Sequence, residues 1–308
     1  MAPVTVPTLK LNDGNEIPML SYGFGTANFA GAEDDIKDKT VMAIKSGYYH
    51  LDCAECKPPI SLLSCYMNES GVGAGIKASG VEREKLFVTT KVVGTKNQDV
   101  DAALDTSLKK LGLDYVDLYL LHVPFSAGGP EGTQNIWKQL EAVQESGKAK
   151  SIGVSNFMQD DLELIFKVAK ITPAINQLEY HPYLQHGDLL DFNRKHGIAV
   201  AVYSPLSAIT AARPGPVDEV YAELAKKYGV SESDVGLRWC LDQNIVTITT
   251  SSSKERLDGY MKNTFSFRLV PQEIERISEL GKQKHYQGLG MAFMTKYYGN
   301  YKVEQEAA

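Results

Sequence analysis

Eight short apolar, β-branched runs alternate with helix-period segments along 308 residues, and polar residues gather at the ends of those runs. These observations predict an α/β fold of the (β/α)8 TIM-barrel class, entered through an N-terminal β-hairpin and formed by one domain over residues 1–308. A doubly wound sheet is the competitor. It favours a GxGxxG turn between the first strand and first helix, whereas GFGTAN lacks the third glycine and opens no helix at once.

The hairpin is expected to turn at Asn12-Asp13-Gly14. Strand runs follow at 19–25, 48–53, 86–91, 116–122, 150–155, 174–178, 198–203 and 245–250. Between them, Val100, Ala103, Leu104, Leu108 and Leu111 form a helical stripe within 98–111. Val217, Val220, Tyr221, Leu224, Ala225 and Tyr228 form another, which Gly229 ends as a C-cap. Ser231 starts the next helix, with Asp234 three residues on.

A chain of this length, 43% hydrophobic, is long enough for a large core. Its net charge of −6 and scattered Lys and Arg argue against nucleic acid as a partner. No apolar run reaches eighteen residues, so no membrane partner is expected, and the N-terminus shows no basic start before an apolar block. Four cysteines do not make a disulfide framework. Cys53 and Cys56 form a CxxC without a fourth ligand nearby, which reads as reduced thiols in a cytoplasmic protein.

The polar residues at the strand ends suggest carbonyl reduction. Asp52 stands near the end of YYHLDC, Lys91 ends LFVTTK and His122 ends DLYLLH. Reducing a carbonyl requires a hydride donor, an acid to protonate the alkoxide and dipoles that favour charge on oxygen. Tyrosine, with an ordinary pKa of about 10, is a poor acid–base group at neutral pH unless a neighbouring ammonium lowers that value. Lys91 is the expected ammonium, Asp52 would keep it charged and oriented, and His122 would polarise the substrate oxygen.

Taken in order, GFGTA, LDCAE, FVTTK, DLYLLH, GVSNF, INQLEYHPYLQ, VYSPL and ITTSSSKERL resemble the aldo-keto reductase family, its fungal members most closely, over nearly the whole chain. The resemblance implies NADPH-dependent reduction of an aldehyde or ketone. It makes Tyr66 the proton donor of a tetrad with Asp52, Lys91 and His122. It also implies that Ser155, Asn156 and Gln177 hold the nicotinamide amide, that Tyr203 stacks on the ring, and that Ser204 to Leu206 cradle the pyrophosphate. It further implies that Gly25 and Thr26 in GFGTA contact the same cofactor. Ser251, Lys254 and Arg256 after the eighth strand offer a hydroxyl, a point charge and a planar fork, a set suited to the 2′-phosphate of NADPH. A small-molecule carbonyl partner and a monomeric state are expected. Fungal relatives include reducers of ketoesters and dicarbonyls and tailoring enzymes of secondary metabolism. Walls for an apolar substrate are expected from SAGGPEGTQN (126–135) and from Tyr286, Phe293, Tyr297 and Tyr298 in the tail.

One stretch departs from the family pattern. The tyrosine normally follows the aspartate by five positions, but here Lys57 occupies that place. Tyr66-Met67-Asn68-Glu69 resumes the pattern only after KPPISLLSC (57–65). Two outcomes are open: the insertion bulges outward and Tyr66 returns to the barrel mouth, or Tyr66 is displaced. In the second case the chain binds NADPH without fast turnover and serves as a regulator or subunit.

Overall fold

Asp13 and Gly14 reverse the chain between β1 (Thr8–Lys10) and β2 (Glu16–Pro18), which pair antiparallel with Leu9 opposite Ile17. The turn is tied by Asn15 N–H donating to Asp13 Oδ1 at 3.0 Å, and Gly14 takes φ +91°. Leu11 and Ile17 are buried in one cluster with Leu118, Leu120, Ile175, Ala201 and Val246. Asn12 Nδ2 donates to Pro173 O, and Asn15 Nδ2 to Lys150 O and Ser151 Oγ. The hairpin is therefore the floor of the molecule, plugging the end opposite the strand C-termini.

The structure is a computed structural model that describes residues 5–25, 32–55 and 68–288. Eight strands form a closed parallel barrel: β3 (Leu20–Gly23), β4 (His50–Asp52), β5 (Phe87–Val92), β6 (Val116–Leu121), β7 (Ala149–Ser155), β8 (Ile175–Glu179), β9 (Ala199–Tyr203) and β10 (Val246–Thr249). Closure comes from β10 pairing with β3, Ile248 opposite Ser21. That closure rules out the doubly wound alternative, whose sheet stays open. All eight expected runs contain a strand, with the bounds moved by at most two residues: β5, β7 and β8 each reach one residue beyond the expected run, and the other five are shorter than expected.

The outer helices are α1 (Glu33–Lys45), α2 (Glu69–Ser79), α3 (Val100–Leu111), α4 (Pro130–Glu145), α5 (Gln159–Phe166), α6 (Leu189–Lys195), α7 (Asp218–Tyr228), α8 (Glu232–Leu241), α9 (Lys254–Asn263) and α10 (Pro271–Gly281). The stripe expected within 98–111 is the buried face of α3, whose N-cap Asp99 accepts from Ala102 N–H. Gly229 ends α7 at φ 66°, and Ser231 and Asp234 form the reciprocal capping box of α8. Helix α2 packs against α1 and α3 through glycines. A Cβ on Gly75 would lie 2.3 Å from Thr40 Cβ, and one on Gly73 only 2.4 Å from Leu111 O, so this close approach requires hydrogen at both positions.

Insertion 57–65 and Tyr66 lie outside the described residues, but both of their flanks are anchored. Cys53 N–H and Glu55 N–H donate to Thr89 O and Lys91 O, prolonging the β4–β5 ladder. Glu55 Oε1 accepts from Val93 N–H and Gln98 Nε2. On the far side Asn68 Nδ2 donates to Phe24 O, and Glu69 accepts from Thr90 Oγ1 and pairs with Lys110. Among the described residues, no helix is long and apolar enough to cross a membrane.

Candidate active site

Side chains alternate along a strand, so in β5 Lys91 faces the barrel interior while Thr90 faces α2. Lys91 Nζ donates to Asp52 Oδ2 at 2.7 Å and to Cys53 O at 3.0 Å, and its side chain is fully buried. Gln177, reaching across from β8, donates through Nε2 to Asp52 Oδ1 at 2.9 Å. Both carboxylate oxygens are thus occupied, the condition under which a buried ion pair is tolerated. His122 follows β6, its N–H donating to Val92 O at 2.8 Å. Burial, assisted by the Lys91 charge, pushes the His122 pKa down to about 3, so the ring is neutral at physiological pH.

A second set lines the adjoining strand ends. Ser155 Oγ donates to Gln177 O, and Asn156 Nδ2 donates to His122 O and Ser155 Oγ. Tyr203 OH donates to Asn156 Oδ1 at 2.8 Å. Asn156 holds φ 64° and Ser204 φ 56°, the left-handed region that non-glycine residues seldom adopt, at the points where the chain leaves β7 and β9. The three residues expected at the nicotinamide and the one expected to stack on it therefore form one bonded group beside Asp52, Lys91 and His122. Ser204 O accepts from Ser207 N–H, and Leu206 O from Ile209 N–H and Thr210 Oγ1. Gly25 lies two residues past β3, next to Phe24, whose N–H donates to Asp52 O. Thr26 lies outside the described residues.

After β10, Ser251 is buried, its carbonyl accepting from Tyr22 OH. Ser253 caps α9 by accepting from Arg256 N–H. Two cations follow with different fates. Lys254 is held by Asp258 at 2.6 Å along the helix, while Arg256 is exposed and enters no ion pair among the described residues. Of the expected substrate walls, Tyr286 is half-buried with its ring 5.9 Å from that of His181, and 130–135 belongs to α4 rather than to a loop. Phe293, Tyr297 and Tyr298 lie outside the described residues. Sequence reasoning missed two partners: the Cys53 carbonyl, which carries no side-chain signal, and the link from Gln177 to Asp52, which spans the barrel between distant strands.

The family model described as "Aldo/keto reductase family" matches residues 22–282. The chain is 38% identical over 287 residues to a Schizosaccharomyces pombe protein named NAD/NADP-dependent indole-3-acetaldehyde reductase, covering 88% of this chain and 94% of that one. It is 37% identical to the NADPH-dependent alpha-keto amide reductase of Saccharomyces cerevisiae, covering 94% and 95%. Among solved structures, the Bombyx mori aldo-keto reductase in complex with NADP superposes with a TM-score of 0.80 at 34% identity, over 90% of this chain and 93% of that one. A family match over residues 22–282, with relatives this similar over nearly their full length, makes the chain a member of the aldo-keto reductase family.

Proposed function

We propose that the chain reduces aldehydes or ketones to alcohols with NADPH, its proton coming from Tyr66. The observation that carries the reading is the sealed Gln177–Asp52–Lys91 chain beside a neutral His122 at the C-terminal end of the barrel, where such enzymes do their chemistry. A buried ammonium favours the phenolate of a nearby tyrosine, so Lys91 fits Tyr66 for proton transfer near neutral pH. Neutral His122 supplies a hydrogen bond to the carbonyl oxygen without competing for the transferred proton. Relatives named for the reduction of an aldehyde and of an alpha-keto amide support a small carbonyl compound as substrate.

The donor set fits a nicotinamide nucleotide. Gln177 Oε1 accepts no hydrogen bond among the described residues, which leaves an acceptor for a carboxamide N–H, and Ser155 and Asn156 supply further amide and hydroxyl partners. Tyr203 offers a half-buried ring face, and Arg256 a guanidinium with no ion-pair partner among the described residues, suited to a 2′-phosphate. NADPH bound there supplies hydride from nicotinamide C4. The chain's part is to orient the carbonyl, exclude water and deliver the proton.

The test is loss of NADPH absorbance with a panel of reactive aldehydes, ketoesters and dicarbonyls, using the parent and Tyr66→Phe. The parent should turn over and the variant should fall by at least about a hundredfold. Tight NADPH binding without turnover of any carbonyl would replace this reading with that of a cofactor-binding regulator or subunit.

A further inference from the structure

The segment after α10 is fastened to the segment between β9 and α7 by one ammonium. Lys284 Nζ donates to Ala212 O at 2.5 Å and to Pro214 O at 2.8 Å. The same ammonium lies 5.3 Å from the centroid of the Tyr183 ring. Tyr183 makes a second tie between the two segments. Its hydroxyl accepts from Val217 N–H at 3.2 Å, and its carbonyl accepts from Tyr286 N–H at 3.1 Å. Gly215 closes the contact, since a Cβ there would come within 2.1 Å of the Tyr183 hydroxyl.

Each fastened segment leads to the barrel mouth. In one direction Ala212 N–H donates to Ser207 O and Ser207 N–H to Ser204 O, the left-handed residue after Tyr203. In the other, Gly288 N–H donates to Glu179 Oε1 at 2.9 Å, and Glu179 is a buried carboxylate two residues beyond Gln177 on β8. Hydrogen bonds thus run from Ser204 to Lys284, and four residues further along the same chain Gly288 is bonded to Glu179.

We propose that Lys284 is a positioning residue that couples the cofactor cradle at 204–206 to the connector 282–288, so that bound NADPH fixes the carbonyl side of the mouth. A lysine suits this task because two carbonyls converge on one point charge with several donors, and moving either carbonyl away returns a half-buried ammonium to water. Coupling of this kind is reciprocal, so whatever fixes the connector also favours the nucleotide. The inference rests on the reading in which residues 204–206 meet the cofactor.

The experiment is amide hydrogen exchange at Tyr286 and Gly288, with and without NADPH, in the parent, Lys284→Met and Lys284→Arg, alongside the dissociation constant for NADPH. In the parent, NADPH should slow exchange at both amides by about fivefold or more. Lys284→Met should bind NADPH without that slowing and show a raised KM for a carbonyl at nearly unchanged kcat, and Lys284→Arg should restore both. If Lys284→Met does not fold, Tyr183→Phe cuts the parallel tie and should weaken the same slowing. Undiminished slowing in these variants overturns the proposal. A parent that binds NADPH with no slowing overturns it while leaving the cofactor reading intact, and a parent that does not bind NADPH overturns both.

Discussion

Lys91 Nζ stands 2.7 Å from Asp52 Oδ2 with neither side chain more than 5% exposed, and Gln177 holds the second carboxylate oxygen. A pair so enclosed is tolerated only while complete, because either charge left alone is uncompensated in a low-dielectric site. Asp52→Ala and Lys91→Met should each lower unfolding stability by about 3–5 kcal/mol in urea titrations. Lys91→Met should also reduce carbonyl turnover by at least about a hundredfold. A Lys91→Met protein of parental activity would remove the lysine from the proposed tetrad.

The 2′-phosphate assignment separates two cations that look equivalent in sequence. Lys254 is occupied by Asp258, whereas Arg256 carries a guanidinium with no ion-pair partner among the described residues. Arg256→Ala should weaken NADPH by roughly tenfold to a hundredfold, as expected for losing a charged hydrogen bond worth about 1.5–3 kcal/mol. NADH, which lacks that phosphate, should be nearly unaffected, and Lys254→Ala should change NADPH binding less. Equal losses for both nucleotides in Arg256→Ala would sink the assignment.

At the other end of β4, His50 titrates against folding. Its Nδ1 lies 3.1 Å from Pro18 O, an acceptor only, so Nδ1 carries the proton and Nε2 accepts from Thr89 Oγ1. Burial pushes its pKa down to about 4 from the ordinary 6.5. The unfolded chain therefore binds more protons between those values, so stability is full above pH 6.5 and is lost as pH falls toward 4. His122, lowered to about 3, adds a loss of the same sign. His50→Gln should flatten the profile between pH 6.5 and 4 by up to roughly 3 kcal/mol. Superimposable profiles for parent and variant would show that His50 does not drive the acid loss.

The barrel was legible because its evidence is local. Each strand run carries its own β-branched density, and α3 its own stripe, so both survive without knowledge of their neighbours. The strand within the run 48–53 starts only at His50, because Tyr48 N–H is taken by Ala43 O of the preceding helix and not by a neighbouring strand. The resemblance named the residues of the candidate site, of which the structure brings Asp52, Lys91, His122, Ser155, Asn156, Gln177 and Tyr203 together, yet their wiring was not legible. Gln177 donating to Asp52 and Lys284 donating to Ala212 join positions with no periodic relation. The engagement of Lys254 was available from its four-residue spacing to Asp258 on one helix face.

The departure at 57–65 sits between two fixed points, and this gives its removal a definite expectation. Glu55 is held by Val93 N–H, Gln98 and the backbone of Lys91, while Asn68 and Glu69 are held by Phe24 O, Thr90 and Lys110. None of those bonds involves the inserted residues, so excising 57–65 leaves both anchors intact and restores the family spacing from Asp52 to Tyr66. The intervening stretch from 56 to 67 shortens from twelve residues to three. Two halvings of loop length lower the closure cost by roughly 1 kcal/mol, so the excised protein should fold and melt at or slightly above the parent's temperature. If the insertion displaces Tyr66, excision should raise kcat by tenfold or more, since about 1 Å of misplacement costs about a hundredfold. If Tyr66 already reaches Lys91, kcat should stay within about threefold, and Tyr66→Phe should abolish turnover equally in both backgrounds. An excised protein that folds, binds NADPH and loses turnover would show instead that residues 57–65 belong to the working site.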